Sequence, residues 1–171
     1  MDIANTLRSY DGKRVEPFRA VGRAVRDAPR EAIPTLLRLA ASDEMALQAG
    51  ATWVLKHLAE NGAAPHEDQV PRFVHLLDRM KAPDAVLHVL QTLPYLELPD
   101  GEEEHLWQTL LELIGSRRVF TRAWAYNGLG VLAGRNPARR AETEALFDRA
   151  EKDESAAVKV RIRHARAAMR G

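Results

Sequence analysis

Apolar side chains recur along this chain at spacings of three and four, interrupted by short polar breaks, over nearly its whole length. Such spacing puts them on one helix face, as in Leu47, Ala51, Leu55 and Leu58, or Val158, Ile162, Ala165 and Met169. Two-residue alternation is scarce and β-branched runs are few, so the pattern predicts roughly nine or ten helices and no sheet. Asp43, Asp84, Ser116 and Ser155 stand where an N-cap oxygen would satisfy the first free amides of a following helix. Pro65, Pro83, Pro99 and Pro137 fall between elements, and the strings "NGAAP", "ELPDGEE" and "GRNPAR" supply Gly and Asn for helix C-terminal turns.

The pattern also repeats. Segments beginning at Ile33, Val70, Trp107 and Thr143 align so that Leu36, Phe73, Leu110 and Leu146 lie 37, 37 and 36 residues apart. Each is followed by an apolar neighbour: Leu37, Val74, Leu111 and Phe147. Within each segment one helical run follows another across a polar break, so each unit is a helix pair. A pair of this size cannot bury its apolar face alone, and consecutive pairs must stack. The expected architecture is all-α: a right-handed α-α superhelix of four pairs, over 29–62, 66–98, 102–135 and 138–170, led by an irregular pair within 1–28. A length of 171 residues then gives one domain spanning 1–171.

The unit "DESAAVKVRIRHARAAM" carries Asp153 in its turn and Lys159 six residues on; Ser116 with Arg122 and Ser42 with Gln48 stand at the same spacing, while Arg79 and Ala85 depart from it. With Pro34 and Pro71 in the first helices, these positions resemble the HEAT-repeat family, over about residues 30–170. The resemblance implies a fold and, on the concave side of such solenoids, a surface for partners. Tetratricopeptide repeats, with a period of about 34 residues, show a different aromatic and small-residue pattern.

The stretch "NGLGVLAG", with Gly128, Gly130 and Gly134, looks like a phosphate-binding loop but falls inside the second helix of the third unit. No strand precedes it, as a dinucleotide fingerprint requires. Each glycine costs a helix roughly 1 kcal/mol against Ala, so their expected use is to let a neighbouring backbone or a partner come close.

On a helical wheel, Trp53 and Lys56 lie opposite the stripe of Leu47, Ala51, Val54 and Leu58. Transferring that register predicts a ladder of Trp53, Gln91, Asn127 and His164, one residue per unit, flanked by Thr52, Leu90, Tyr126 and Arg163 and then by Gln48, Arg122 and Lys159. This ladder is the candidate partner-binding surface, with Trp53 as apolar anchor and the amides and guanidinium forks as hydrogen-bonding groups. Trp107 and Trp124 point inward on the same wheel and are expected in the core.

Charge alters the picture. Residues 1–116 hold 12 basic and 18 acidic side chains, a net of −6, whereas 117–171 hold 13 and 6, a net of +7. Arg117, Arg118, Arg122, Arg135, Arg139 and Arg140 occupy an acid-free run, and Lys159, Arg161, Arg163, Arg166 and Arg170 another. They open two readings, a nucleic-acid surface or the polar cap that the last helix of a stack needs; Arg166, in the place of Leu129, fits the cap. The bias of 20 Arg to 5 Lys runs through the whole chain.

Chemistry is sparse. No cysteine is present, and His57, His66, His75, His88, His105 and His164 form no metal-ligand spacing. "EEEH" at 102–105 and "HEDQ" at 66–69 read as helix starts, and the pairs Asp43-Glu44 and Asp153-Glu154 lie in turns where solvation should leave their acidity ordinary. No cofactor or metal is expected. No apolar run reaches the roughly 18 residues of a membrane span, so a cytoplasmic monomer without membrane contact is expected. The expected function is non-catalytic: an adaptor binding another protein, an acidic segment included, with nucleic-acid binding by the basic third as the alternative and a HEAT-like DNA glycosylase as a remote one.

Overall fold

The computed structural model describes residues 1–170; the side chain of Arg170 and all of Gly171, and with them the charge expected of Arg170, lie outside the described residues. The chain is all-helical: 76% of it is helix and no strand occurs among the described residues, which excludes every fold built on a sheet. It divides into two compact units, Met1–Pro99 and Asp100–Gly171, at the turn "ELPDGEE".

The first unit contains α1 (Ile3–Arg8), α2 (Glu16–Ala24), α3 (Pro29–Ala40), α4 (Met45–Glu60), α5 (Val70–Val74) and α6 (Pro83–Thr92). α4 is its axis, with α1, α2, α3 and α6 packed around it. That position explains why α4 is apolar on most sides, and why Leu47, Ala51, Val54, Leu55 and Leu58 are buried together with Leu7, Phe18, Val21 and Leu36. Burying each of the larger side chains is worth about 1.5–3 kcal/mol. Gly50 permits the approach: a Cβ there would lie 2.7 Å from Leu7 Cδ2 and 2.8 Å from Phe18 Cε1. The helix expected from Val70 onward is cut into α5 and a 3-10 turn at His75–Asp78. Side chains three apart eclipse in a 3-10 turn, and His75 Nδ1 lies 3.0 Å from Asp78 Oδ2 across it.

The second unit contains α7 (Glu102–Leu113), α8 (Val119–Arg135), α9 (Arg140–Asp153) and α10 (Ala156–Arg170). Its axis is α8, which packs against the other three and along most of α10. Gly130 makes this possible, since a Cβ there would sit 2.8 Å from Ala165 Cβ; Gly134 has more room, 3.9 Å from Met169 Cα. Arg166 stands on α10 where an apolar residue would otherwise be. Its guanidinium reaches Glu144 at 2.7 Å, Asp148 at 2.5 Å and Glu151 at 3.4 Å, all on α9, and lies over the Phe147 ring.

Helix starts differ from the expected caps. Asp43 stands one residue before Glu44, the N-cap of α4, and accepts from Lys81 Nζ at 2.8 Å. Ser116 caps the turn and not the helix, its Oγ accepting from the amide of Arg118 at the N-cap position of α8, as the Ser42 Oγ does from the Glu44 amide. Asp84 lies inside the first turn of α6, after Ala82 and Pro83. Ser155 lends α10 its carbonyl, accepting from Lys159 N, while its hydroxyl is buried without a partner among the described residues. Pro71 lies in the first turn of α5, where proline breaks no helical hydrogen bond, and Pro34 lies inside α3.

Candidate functional site

In the first unit, α2 and the C-terminal half of α4 enclose a cleft of about 460 Å³. Its α2 side is Arg19, Gly22 and Arg23, continued by Arg26 and Pro29 at the start of α3; its α4 side is Trp53, His57 and Leu58, continued by Asn61 and Ala63. Gly22 brings α2 close to the aromatic side of α4: an added Cβ would lie in ordinary contact with His57 Cδ2 at 3.5 Å and Trp53 Cζ3 at 3.8 Å. The Trp53 and His57 rings, one helical turn apart, stack with centroids 5.3 Å apart and planes 15° from parallel. Phe18 supports Trp53 from the core at 6.1 Å. Asn61 closes α4, its Nδ2 donating to the His57 carbonyl at 2.7 Å.

The rim is cationic. Arg23 donates to Glu16 Oε1 at 2.7 Å and Arg26 lies 3.8 Å from Asp27, both pairs at the surface. The Arg23 guanidinium, with a further contribution from Arg19, holds the Glu16 carboxyl below its ordinary range. None of the ten lining residues carries a carboxylate, hydroxyl, thiol or amine. The cleft therefore offers an aromatic wall and guanidinium donors, with no hard-cation ligand set and no nucleophile beside a base.

The ladder residues have unlike surroundings. Trp53 is half-buried at the cleft. Lys56 donates to Glu60 at 2.6 Å, and Gln91 is half-buried on α6. In the second unit, Tyr126 and Asn127 are buried, and burial pushes the Tyr126 phenol upward. Arg163 and His164 are exposed on α10. Of the flanking positions, Thr52 and Leu90 are fully buried, so the open face expected there belongs to the core. Trp107 is in the core, but Trp124 is only half-buried, under the Arg161 guanidinium at 3.9 Å.

Gln48 and Arg122 are internal ties. Gln48 is buried; its Nε2 donates to the Ser42 carbonyl at 2.8 Å and its Oε1 accepts from the amides of Lys81 and Ala82, each at 2.9 Å. Arg122 donates to the Ser116 carbonyl at 3.0 Å and forks onto Glu154 at 2.7 and 2.9 Å. Both reach the carbonyl six residues back and the turn that opens a later helix of the same unit. A wheel cannot separate such a residue from a ligand-facing one, because both project from the same side of the helix.

The turn carboxylates are not ordinary either. Hydrogen bonding to Lys81 lowers the Asp43 carboxyl, bonding to Arg8 lowers Glu44, and bonding to Arg122 lowers Glu154. Several cations of the basic third are likewise engaged: Arg139 with Glu103, Glu104 and Glu142 and over the Trp107 ring, Arg140 with the Ala133 carbonyl, and Arg166 with α9. Arg117 and Arg118 are exposed next to Phe120, a residue that is itself 65% exposed.

Arg19, Arg23 and Arg26 lie outside the ladder, yet they carry a signal in "EPFRAVGRAVRDAPR": arginines spaced four and three apart, the period of one helix face. Dividing the charge at residue 116 hides them in a net-acidic stretch. No protein-family model, no curated protein and no solved structure matches the chain.

Proposed function

We propose that this chain is a HEAT-like α-solenoid, four helix pairs and a leading pair, that serves as a non-catalytic protein-interaction module and seats an acidic segment of its partner in the Trp53 cleft. The cleft carries the reading: an apolar, aromatic wall under a guanidinium rim, with no carboxylate in its lining. Aromatic anchors and arginines are the side chains that dominate interface energetics, and forked donors favour carboxylates. The equivalent ties of Gln48 and Arg122, made at equivalent places in the two units, support the repeat reading.

Affinity capture from a lysate, with and without nuclease, tests it. A protein retained by the wild type through nuclease treatment, and lost with Trp53→Ala or Arg19→Glu, is the expected result. Retention unchanged by both substitutions would sink the assignment of the site. Exposed Phe120 beside Arg117 and Arg118 favours a second reading, single-stranded nucleic acid stacked on an aromatic ring in a cationic setting. Recovery of nucleic acid, lost with Phe120→Ala, would put it first.

A further inference from the structure

Resting on the cleft as the partner site, we propose that the segment it takes is phosphorylated, its phosphate monoester held by Arg19, Arg23 and Arg26 and an adjacent apolar side chain lying against Trp53 over Gly22.

Three observations lead to phosphate. The first is the number and placement of the arginines. Residues 19, 23 and 26 follow one face of α2 into the turn after it, and all three line the same cleft. The second is what two of them already hold. Arg23 meets Glu16 and Arg26 lies near Asp27, with side chains 60% or more exposed in both pairs. Such surface pairs hold their partners weakly. A single incoming carboxylate can replace one such partner, on one guanidinium fork. A phosphate monoester brings close to two charges and three acceptor oxygens, enough to engage several guanidinium forks at once. The lining itself holds no carboxylate; Glu16 and Asp27 stand outside it, on exposed pairs that the phosphate would displace.

The third is the remaining space. A cleft of about 460 Å³ is the size of a small-molecule site and holds a phosphate and a neighbouring side chain more readily than a whole helix. Its non-cationic part is Trp53 stacked on His57, Leu58, Pro29 and the bare backbone of Gly22, which suits an apolar side chain next to the phosphate.

The test uses the immobilised full chain and pools of short peptides with degenerate flanks and a central phosphoserine, phosphothreonine or phosphotyrosine, beside pools with glutamate or the unmodified residue at the centre. A phosphorylated pool should be retained about tenfold or more over its glutamate counterpart, a difference of about 1.4 kcal/mol. That preference should vanish in Arg19→Ala with Arg23→Ala, and should shrink in Arg19→Lys with Arg23→Lys, which keeps the charge and removes the fork. Both arginines are exposed, so thermal midpoints should stay at the wild-type value. Equal retention of glutamate and phosphorylated pools overturns the phosphate and leaves the acidic-segment reading standing. Phosphopeptide retention indifferent to the arginine substitutions also overturns it, as does retention of no pool; the Trp53→Ala capture then judges the broader reading on its own.

Discussion

His88 lies on α6 against α4, its Nδ1 3.1 Å from the Thr52 hydroxyl, and burial lowers its pKa to about 4 from the usual 6.5. Between those values the unfolded chain binds a proton that the folded chain refuses. Stability present in full above pH 6.5 is therefore lost as pH falls towards 4, and the loss levels off below that. Allowing for the ring's partial exposure, the loss is about 2 kcal/mol. Denaturant titrations from pH 7 to 4 should show it, and His88→Leu should remove that part of the slope. Gln48 makes a second case, because its carboxamide satisfies two amides at once. Gln48→Ala leaves the buried Ala82 N–H without its partner and should cost about 2–4 kcal/mol in equilibrium unfolding, whereas Gln91→Ala should cost under about 1. Of the candidate site, Trp53 is legible in sequence through its place opposite the apolar stripe. The ties of Gln48 and Arg122 are not, since a polar residue on a helix does not announce whether its partner is another turn of the chain or a second molecule.

The glycines of α8 act on the element. Gly130→Ala drives a Cβ to within 2.8 Å of Ala165, whose own methyl cannot rotate away, so α10 must shift. The cost of overpacking, about 1–3 kcal/mol, outweighs the roughly 1 kcal/mol that alanine adds to helix propensity. Gly134→Ala meets nothing closer than 3.9 Å and keeps that propensity gain. The two thermal midpoints should therefore move in opposite directions, down for Gly130→Ala and up for Gly134→Ala. Equal shifts would mean that the absence of a Cβ at Gly130 does not set how closely α8 and α10 approach. Helix existence was readable from spacing almost everywhere, as α4, α8 and α10 show, because long amphipathic runs state their period many times. Helix beginnings were readable only to within a residue or two. Asp43 and Ser116 have the right chemistry for a cap and spend it elsewhere, on the Lys81 ammonium and on the Arg118 amide in the turn before the helix.

Across the whole molecule, the uneven charge of the chain is turned on itself. The acids before residue 116 and the bases after it meet within the second unit, where Glu103 and Glu104 hold Arg139. Glu154 and the acidic face of α9 likewise hold Arg122 and Arg166. A sequence tally counts such charges as available; the fold has already used them. The full chain should accordingly bind a single-stranded oligonucleotide with a shallow salt dependence, a slope of log K against log salt smaller in magnitude than about 3, as for fewer than about four or five neutralised phosphates. A slope near −6 would show that the basic third faces the ligand after all. Gly22, in the cleft, sets the opposite kind of balance. It lies within α2, where alanine is the better helix former by roughly 1 kcal/mol, and a methyl group there meets only ordinary contacts at 3.5 and 3.8 Å. Gly22→Ala should thus make the protein harder to melt while taking room from whatever enters the cleft, and Gly22→Met should all but plug it. A residue whose replacement improves endurance and impairs use would mark a place where stability is held below what the helix could reach, and the two measurements together, melting and capture, show whether Gly22 is such a place.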